Sequence, residues 1–153
     1  MLSDLTYYIR EGVLVGVANG QVIHLTALSG GGGGSTRHRA TDSANNPYME
    51  GLKTKGSAKL ASHIHGGPIP PGRYKINTPA KYPHLGLAAR LDHPNFGPLG
   101  RDGFYIHGRG PHGSDGCIVP LDYGRFIELM NALTRSHGGT LVVEETADGT
   151  RYA

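Results

Sequence analysis

The segment Phe104-Tyr105-Ile106-His107-Gly108-Arg109-Gly110-Pro111-His112-Gly113-Ser114-Asp115-Gly116-Cys117-Ile118-Val119 carries the residue types best suited to chemistry. A histidine closes one short apolar run, a cysteine opens the next, and a Gly-rich stretch between them can fold back so that the two side chains meet. A cysteine thiol has an ordinary pKa near 8.5 and is only weakly ionised at neutral pH; a neighbouring imidazole can accept its proton or stabilise the thiolate. The glycines ahead of Cys117 allow the backbone to approach a carbonyl closely. Backbone N–H groups around Gly116 and Cys117 are then placed to hold a developing oxyanion.

Cys117 is the only cysteine, so no internal disulfide can form. A lone cysteine is ordinarily a small buried apolar residue, and it is the company of His107 and the glycines that points to a nucleophile instead. A metal site is the rival reading. His63-x-His65 at strand spacing puts two rings on one face, and with His107, His112, Asp115 or Cys117 could hold zinc. Nine histidines in a Gly-rich chain produce such pairs by chance, and no His-Glu-x-x-His helix accompanies them. The expectation is therefore a site with no metal and no cofactor.

These residues need strands to hold them. Thr6 to Ile9, Val13 to Val17 and Gln21 to Leu28 are expected as strands of an antiparallel meander, with Asn19-Gly20 as a two-residue hairpin turn. Further strands are expected over Arg73 to Asn77, Leu87 to Leu91, Phe104 to His107, Cys117 to Pro120 and Thr140 to Glu145. Residues 79–98 otherwise look loop-rich, and Lys53 to Ser62 is a short helix or irregular. Leu121 to Ser136 has helical spacing, with Phe126, Leu129, Met130 and Leu133 on one face and Asp122 as its cap. The fold class is thus mainly β with one helix.

The whole sequence has 153 residues, one domain's worth, with 37% hydrophobic and 18% charged residues. Its 25 Gly and 10 Pro make up more than a fifth of the chain, which argues against a helical bundle and for many turns. The run Gly30 to Gly34 lies in a flexible Gly-rich loop of about residues 29–46, and no Lys-Ser/Thr follows it to make a nucleotide loop. A formal charge of +3 is mild, and its scattered Lys and Arg lack the footprint of a nucleic-acid binder. Met1 to Thr6 lacks the basic and apolar regions of a signal peptide, and no stretch is apolar enough to insert in a membrane. The chain reads as soluble and made in the cytoplasm.

The chemical segment resembles the catalytic motif of L,D-transpeptidases, in which an upstream His-Gly pairs with a later Ser-x-Gly-Cys-Ile. Here those elements are His107-Gly108 and Ser114-Asp115-Gly116-Cys117-Ile118. The common form has histidine at the position of Asp115 and a longer gap from His to Cys. Both departures are similar to a branch of L,D-transpeptidase-like effectors delivered by type VI secretion systems. The Tyr-rich hairpin of Thr6 to Leu25, Ser29-Gly30-Gly31, Asn45-Asn46-Pro47 and the run from Gly67 to Ile76 also resemble that branch. The likeness covers roughly residues 5 to 145.

The resemblance implies a single L,D-transpeptidase-like catalytic domain over residues 1–153, a β-sandwich or barrel. It implies that Cys117 attacks the meso-diaminopimelate carbonyl of a peptidoglycan stem tetrapeptide, with His107 as base and then acid. The acyl-enzyme passes to water (L,D-carboxypeptidase) or to a D-amino acid (exchange). Gly116, Ser114, Asp115 and Gly108 are assigned to oxyanion and loop support, and Arg109, Tyr105 and His112 to substrate binding. Its implied setting is antibacterial: secretion without a signal peptide, contact with a secretion apparatus component, action in the target-cell periplasm, and a cognate immunity protein. The alternatives are a housekeeping L,D-transpeptidase lacking its leader and a histidine-site zinc hydrolase.

Overall fold

The computed structural model describes residues 2–29, 68–83, 85–93, 103–108 and 117–147. The expected helical or irregular piece at Lys53 to Ser62 and the Gly30 to Gly34 loop lie outside them.

The chain opens with the meander read from the sequence: β1 (Asp4–Tyr8), β2 (Val13–Ala18) and β3 (Gln21–Ser29) pair antiparallel in order. Ala18 faces Gln21 across the turn, where Asn19 (φ 49°) and Gly20 (φ 82°) both take the left-handed backbone that a type I′ hairpin needs. After it come β4 (Gly72–Ile76), β5 (Ala80–Tyr82), β6 (Gly86–Asp92), β7 (Phe104–His107), β8 (Ile118–Pro120), the helix α1 (Tyr123–Arg135) and β9 (Gly139–Glu144). Among the described residues the protein is mainly β with one helix.

All nine strands join one sheet in the order β4-β9-β1-β2-β3-β8-β7-β6-β5, and β4 also pairs with β6, which closes the sheet on itself. β4 and β5 lie along one edge of β6: Ile76 faces Leu91, and Ala80 faces Ala88. Between these pairs Asn77, Thr78 and Pro79 stand against Ala89 and Arg90, a one-residue bulge with the proline, which lacks an N–H, inside it. Asn77 pins the bulge, its Nδ2 donating to the Arg90 carbonyl (3.0 Å) and to Asp92 Oδ2 (2.8 Å).

Strand alternation gives the closed sheet one apolar inner face. Leu5 and Tyr7 of β1, Leu14 of β2, Ile23 and Leu25 of β3, Tyr74 and Ile76 of β4, Leu91 of β6, Phe104 and Ile106 of β7, Ile118 of β8, and Leu141 and Val143 of β9 share a single core. The helix adds Phe126, Leu129, Met130 and Leu133 to that core, the face expected from their spacing. Its cap is the expected one: Asp122 Oδ1 accepts from the Arg125 N–H at 3.1 Å. Asp122→Ala is expected to lower stability by about 1 kcal/mol, read from the midpoint of urea unfolding, and no change would remove the cap from the account.

Two buried polar side chains are satisfied by backbone groups distant in sequence. Tyr7, fully buried, donates from its hydroxyl to the Ala27 carbonyl at 3.2 Å, and burial pushes its phenol far above the ordinary range. The buried Ser29 Oγ accepts from the Ile69 N–H at 2.9 Å, tying the start of the second half to the end of β3.

Candidate active site

β7 and β8 are parallel neighbours with Ile106 opposite Ile118. Both isoleucines are fully buried in the core, so alternation sends the residues on either side of them to the outer face. One step along, His107 is level with Val119; one step back, Tyr105 is level with Cys117. The histidine ends β7 and the cysteine precedes β8, as expected, and both project from the same face of adjacent strands about 4.8 Å apart. The connection, residues 108–117, is shorter than the dozen or so residues usual between parallel strands. Such economy is possible because β7 and β8 are themselves so short.

His107 is half-buried, and its Nδ1 lies 2.7 Å from the carbonyl oxygen of Gly108. A carbonyl can only accept, so Nδ1 carries the proton and Nε2 carries the lone pair. Burial lowers the imidazole pKa from its ordinary 6.5, and the bond to Gly108 opposes that shift without cancelling it. The ring is therefore neutral at pH 7 with a basic nitrogen to offer. Cys117 is also half-buried. The register makes the two diagonal neighbours, one strand and two residues apart, and a desolvated neutral imidazole that can reach a thiol is the arrangement that generates a nucleophile on demand.

A pH profile follows from the direction of that shift. The folded pKa lies below 6.5, so the imidazole remains an acceptor as pH falls through 6.5 and is lost only lower. The acid limb of kcat/KM is expected below pH 6.5, measured between pH 4.5 and 8. A limb at or above 6.5 would sink this description of His107. The same shift makes its linked stability term complete above pH 6.5 and progressively lost as pH falls from 6.5 to the folded pKa.

The surroundings are small and aromatic. Ala88 faces His107 across β6 and is fully buried, and Val119 is 3% exposed. Tyr105, half-buried, meets Tyr82 edge to face, with ring centroids 5.0 Å apart and planes at 69°. Their pairing crosses β6, the strand that carries Ala88. Gly108 faces the start of α1: a Cβ there would stand 3.6 Å from Phe126 Cε2 and 3.8 Å from Tyr123 Cε1, ordinary contact distances.

Of the residues singled out in the sequence, His107, Cys117, Tyr105 and Gly108 are brought to one end of β7 and β8. Arg109, His112, Ser114, Asp115 and Gly116 lie outside the described residues, as do His63 and His65 of the metal reading. Gly108 supplies the carbonyl that fixes the imidazole. Tyr82 was not singled out, because β5 is three residues beside two prolines and gives no periodic signal. Among the described residues no group of three His, Cys, Asp or Glu side chains is placed to hold a metal ion, and no helix is long and apolar enough to cross a membrane.

No protein-family model matches the chain, and no curated protein matches it in sequence. In three dimensions it is distantly similar to solved L,D-transpeptidases. One, from Xylanimonas cellulosilytica, is 15% identical with a TM-score of 0.49 over 94% of this chain and 61% of that one. L,D-transpeptidase 1 of Mycobacterium tuberculosis gives 15% identity and a TM-score of 0.49 over 93% and 61%. An L,D-transpeptidase from Mycobacterium smegmatis gives 13% identity and a TM-score of 0.47 over 93% and 58%. The chain thus spans about three fifths of the length of the structures it is similar to.

Proposed function

We propose that the protein is a cysteine acyltransferase or hydrolase that acts on the stem tetrapeptides of peptidoglycan. The observation that carries the reading is the shared outer face of β7 and β8, where Cys117 and an imidazole with its proton fixed on Nδ1 are diagonal neighbours, one strand and two residues apart. The motif around them supplies the substrate class. Cys117 Sγ gives its proton to His107 Nε2 and attacks the carbonyl carbon of the third stem residue. The tetrahedral intermediate expels the amine of the terminal D-alanine, which takes the proton from His107, and a thioester remains on Cys117. Water or the amine of a free D-amino acid then attacks the thioester, giving trimmed or exchanged peptide and restoring the thiol. Oxyanion support falls to the backbone around Gly116 and Cys117.

The setting we propose is that of an antibacterial effector of the type VI secretion kind. It would act in the periplasm of a target cell, with an immunity protein in the producer that blocks the face around Cys117. The test is incubation of the purified protein with diaminopimelate-type muropeptides, with and without added D-amino acid, followed by mass analysis. Loss of D-alanine, or its replacement by the added amino acid, is the expected result. Unaltered muropeptides at protein concentrations near those of the substrate would overturn the reading.

A further inference from the structure

Gly108 closes the hydrogen bond that sets the imidazole tautomer, and the fold brings two aromatic rings against it. Ile106 stands opposite Ile118 in the parallel register, so Gly108 is level with Pro120. From Pro120 the chain turns at once into α1. That turn is anchored by the Leu121 N–H, which donates to the Thr26 carbonyl at 3.0 Å, and by the Asp122 cap. Tyr123 and Phe126 are neighbours on this fixed first turn, with ring centroids 5.9 Å apart and planes at 41°. Chain neighbours aside, the three described atoms nearest to where a Cβ of residue 108 would stand all belong to these rings. They are Phe126 Cε2 at 3.6 Å, Tyr123 Cε1 at 3.8 Å and Phe126 Cδ2 at 3.9 Å.

The two rings are held there for different reasons. Phe126 is 2% exposed and belongs to the shared core. Tyr123 is 64% exposed, so core burial does not account for its place. What its ring covers is the backbone of Gly108. With no side chain at residue 108, both rings lie directly against the peptide whose carbonyl takes the His107 Nδ1 proton at 2.7 Å. Water reaching that carbonyl would compete for the bond, and water reaching the ring would favour the imidazolium.

We propose that Tyr123 is a positioning residue for His107: its ring, backed by Phe126, walls off Gly108 so that the carbonyl stays turned to the imidazole and water is kept from the pair. The ring carries this role and the hydroxyl does not. The proposal deepens the reading of His107 given above and rests on it for the kinetic half of its test alone. The other titratable or charged groups on the outer face around the imidazole are Cys117, Tyr105, Tyr82 on β5 and Arg90 on β6. Arg90 faces Tyr105 and pairs with Asp92 at 2.9 Å. Asp122 and Arg125 stand beside Tyr123 on the first turn of α1. Replacing Tyr123 leaves all of these in place, so a change in the titration of His107 reports the wall. Desolvation is the larger influence on that imidazole and the Gly108 bond the smaller, opposing one. Admitting water therefore moves its pKa up toward 6.5.

The experiment compares the wild type, Tyr123→Ala and Tyr123→Phe by two readouts. The first is NMR titration of labelled histidine rings, with the His107 signal identified by its loss in His107→Gln. Tyr123→Ala should titrate at higher pH than the wild type and lose the pure Nδ1–H tautomer, and Tyr123→Phe should restore both. The second is kcat and KM on a diaminopimelate tetrapeptide across pH. Tyr123→Ala is expected to lower kcat at pH 8 by about three- to thirtyfold with KM unchanged, a fraction of what a general base supplies. Its activity at pH 5.5 relative to pH 8 should fall by a further two- to tenfold or so, as the acid limb moves up. An unshifted His107 titration in Tyr123→Ala, or a kcat loss with no movement of the acid limb, makes the ring merely structural and overturns the proposal. Tyr123→Phe behaving like Tyr123→Ala overturns it too, since the hydroxyl would then be the working group. The exposed ring should leave the urea midpoint of Tyr123→Ala near that of the wild type. Should that variant unfold, Tyr123→Gln carries the same comparison, because it keeps a helix-forming side chain and admits water. If the wild type converts no tetrapeptide, the failure belongs to the activity at Cys117, and the titration alone decides for or against the wall.

Discussion

Cys117→Ala is expected to reduce turnover of muropeptides by on the order of 10⁴- to 10⁶-fold, and His107→Gln by roughly 10²- to 10⁴-fold. The two numbers differ because the thiol forms the bond that defines the reaction, whereas the imidazole moves its proton. The double variant should be no worse than Cys117→Ala alone, since a base with no nucleophile to activate has nothing left to contribute. Both side chains are only half-buried on the outer face, away from the shared core, so thermal unfolding of the single variants should stay within about 1 kcal/mol of the wild type. The measurement is kcat/KM by quantified release of D-alanine, with unfolding followed in parallel. Additive losses in the double variant would mean that the two residues do not act as a unit, and a collapse of stability would mean that Cys117 is a packing residue.

The largest effect on the fold is expected far from that site. Gly138 follows α1 at φ +84°, its N–H donating to the Leu133 carbonyl at 2.8 Å as the chain turns into β9. A Cβ at this position would fall on the carbonyl oxygen of Ile76, at the join where β4 pairs with β9 and the sheet closes. Gly138→Ala must therefore adopt a left-handed backbone, at about 1–2 kcal/mol, and push two backbones apart, at about 1–3 kcal/mol more. Against a total stability of about 5–15 kcal/mol, such a loss is large, and urea unfolding should show it as a clear fall in midpoint. Residual folded protein should keep wild-type kcat, because the close approach is to the backbone of Ile76 on β4 and β6 stands between β4 and β7. A variant as stable as the wild type would contradict the close approach at Ile76.

Local signals in the sequence carried much of this. Asn19-Gly20 announced its hairpin because both residues tolerate positive φ, and Asp122 announced α1 because a side-chain oxygen before an amphipathic run caps the first turn. Phe104 to His107 was visible as an apolar run ending in the histidine. The pairings that close the sheet were not. β1 with β9 and β7 with β8 are parallel and join residues that no local spacing connects, and β4 with β6 depends on a bulge that no spacing reveals. β5 was read as loop because Pro79 and Pro83 flank only three residues.

The site divides in the same way. Cys117 and His107 are chemically distinctive, so they could be found by type and spacing. The partner of the imidazole could not: among the described residues the acceptor within hydrogen-bond distance is the backbone carbonyl of Gly108, a group that every residue has. Tyr82 belongs to an element whose sequence is explained by structure alone, and only its ring contact with Tyr105 brings it near the site.

The central claim is that Cys117 becomes covalently acylated by a stem peptide. It is tested most directly by mixing the protein with excess diaminopimelate tetrapeptide, quenching in acid within the first turnovers and weighing the intact protein, followed by peptide mapping. The account predicts an added mass equal to the tripeptide acyl group, located on the peptide containing Cys117 and absent from Cys117→Ala. Turnover of the tetrapeptide with no adduct on Cys117, or with an adduct on another residue, would contradict it.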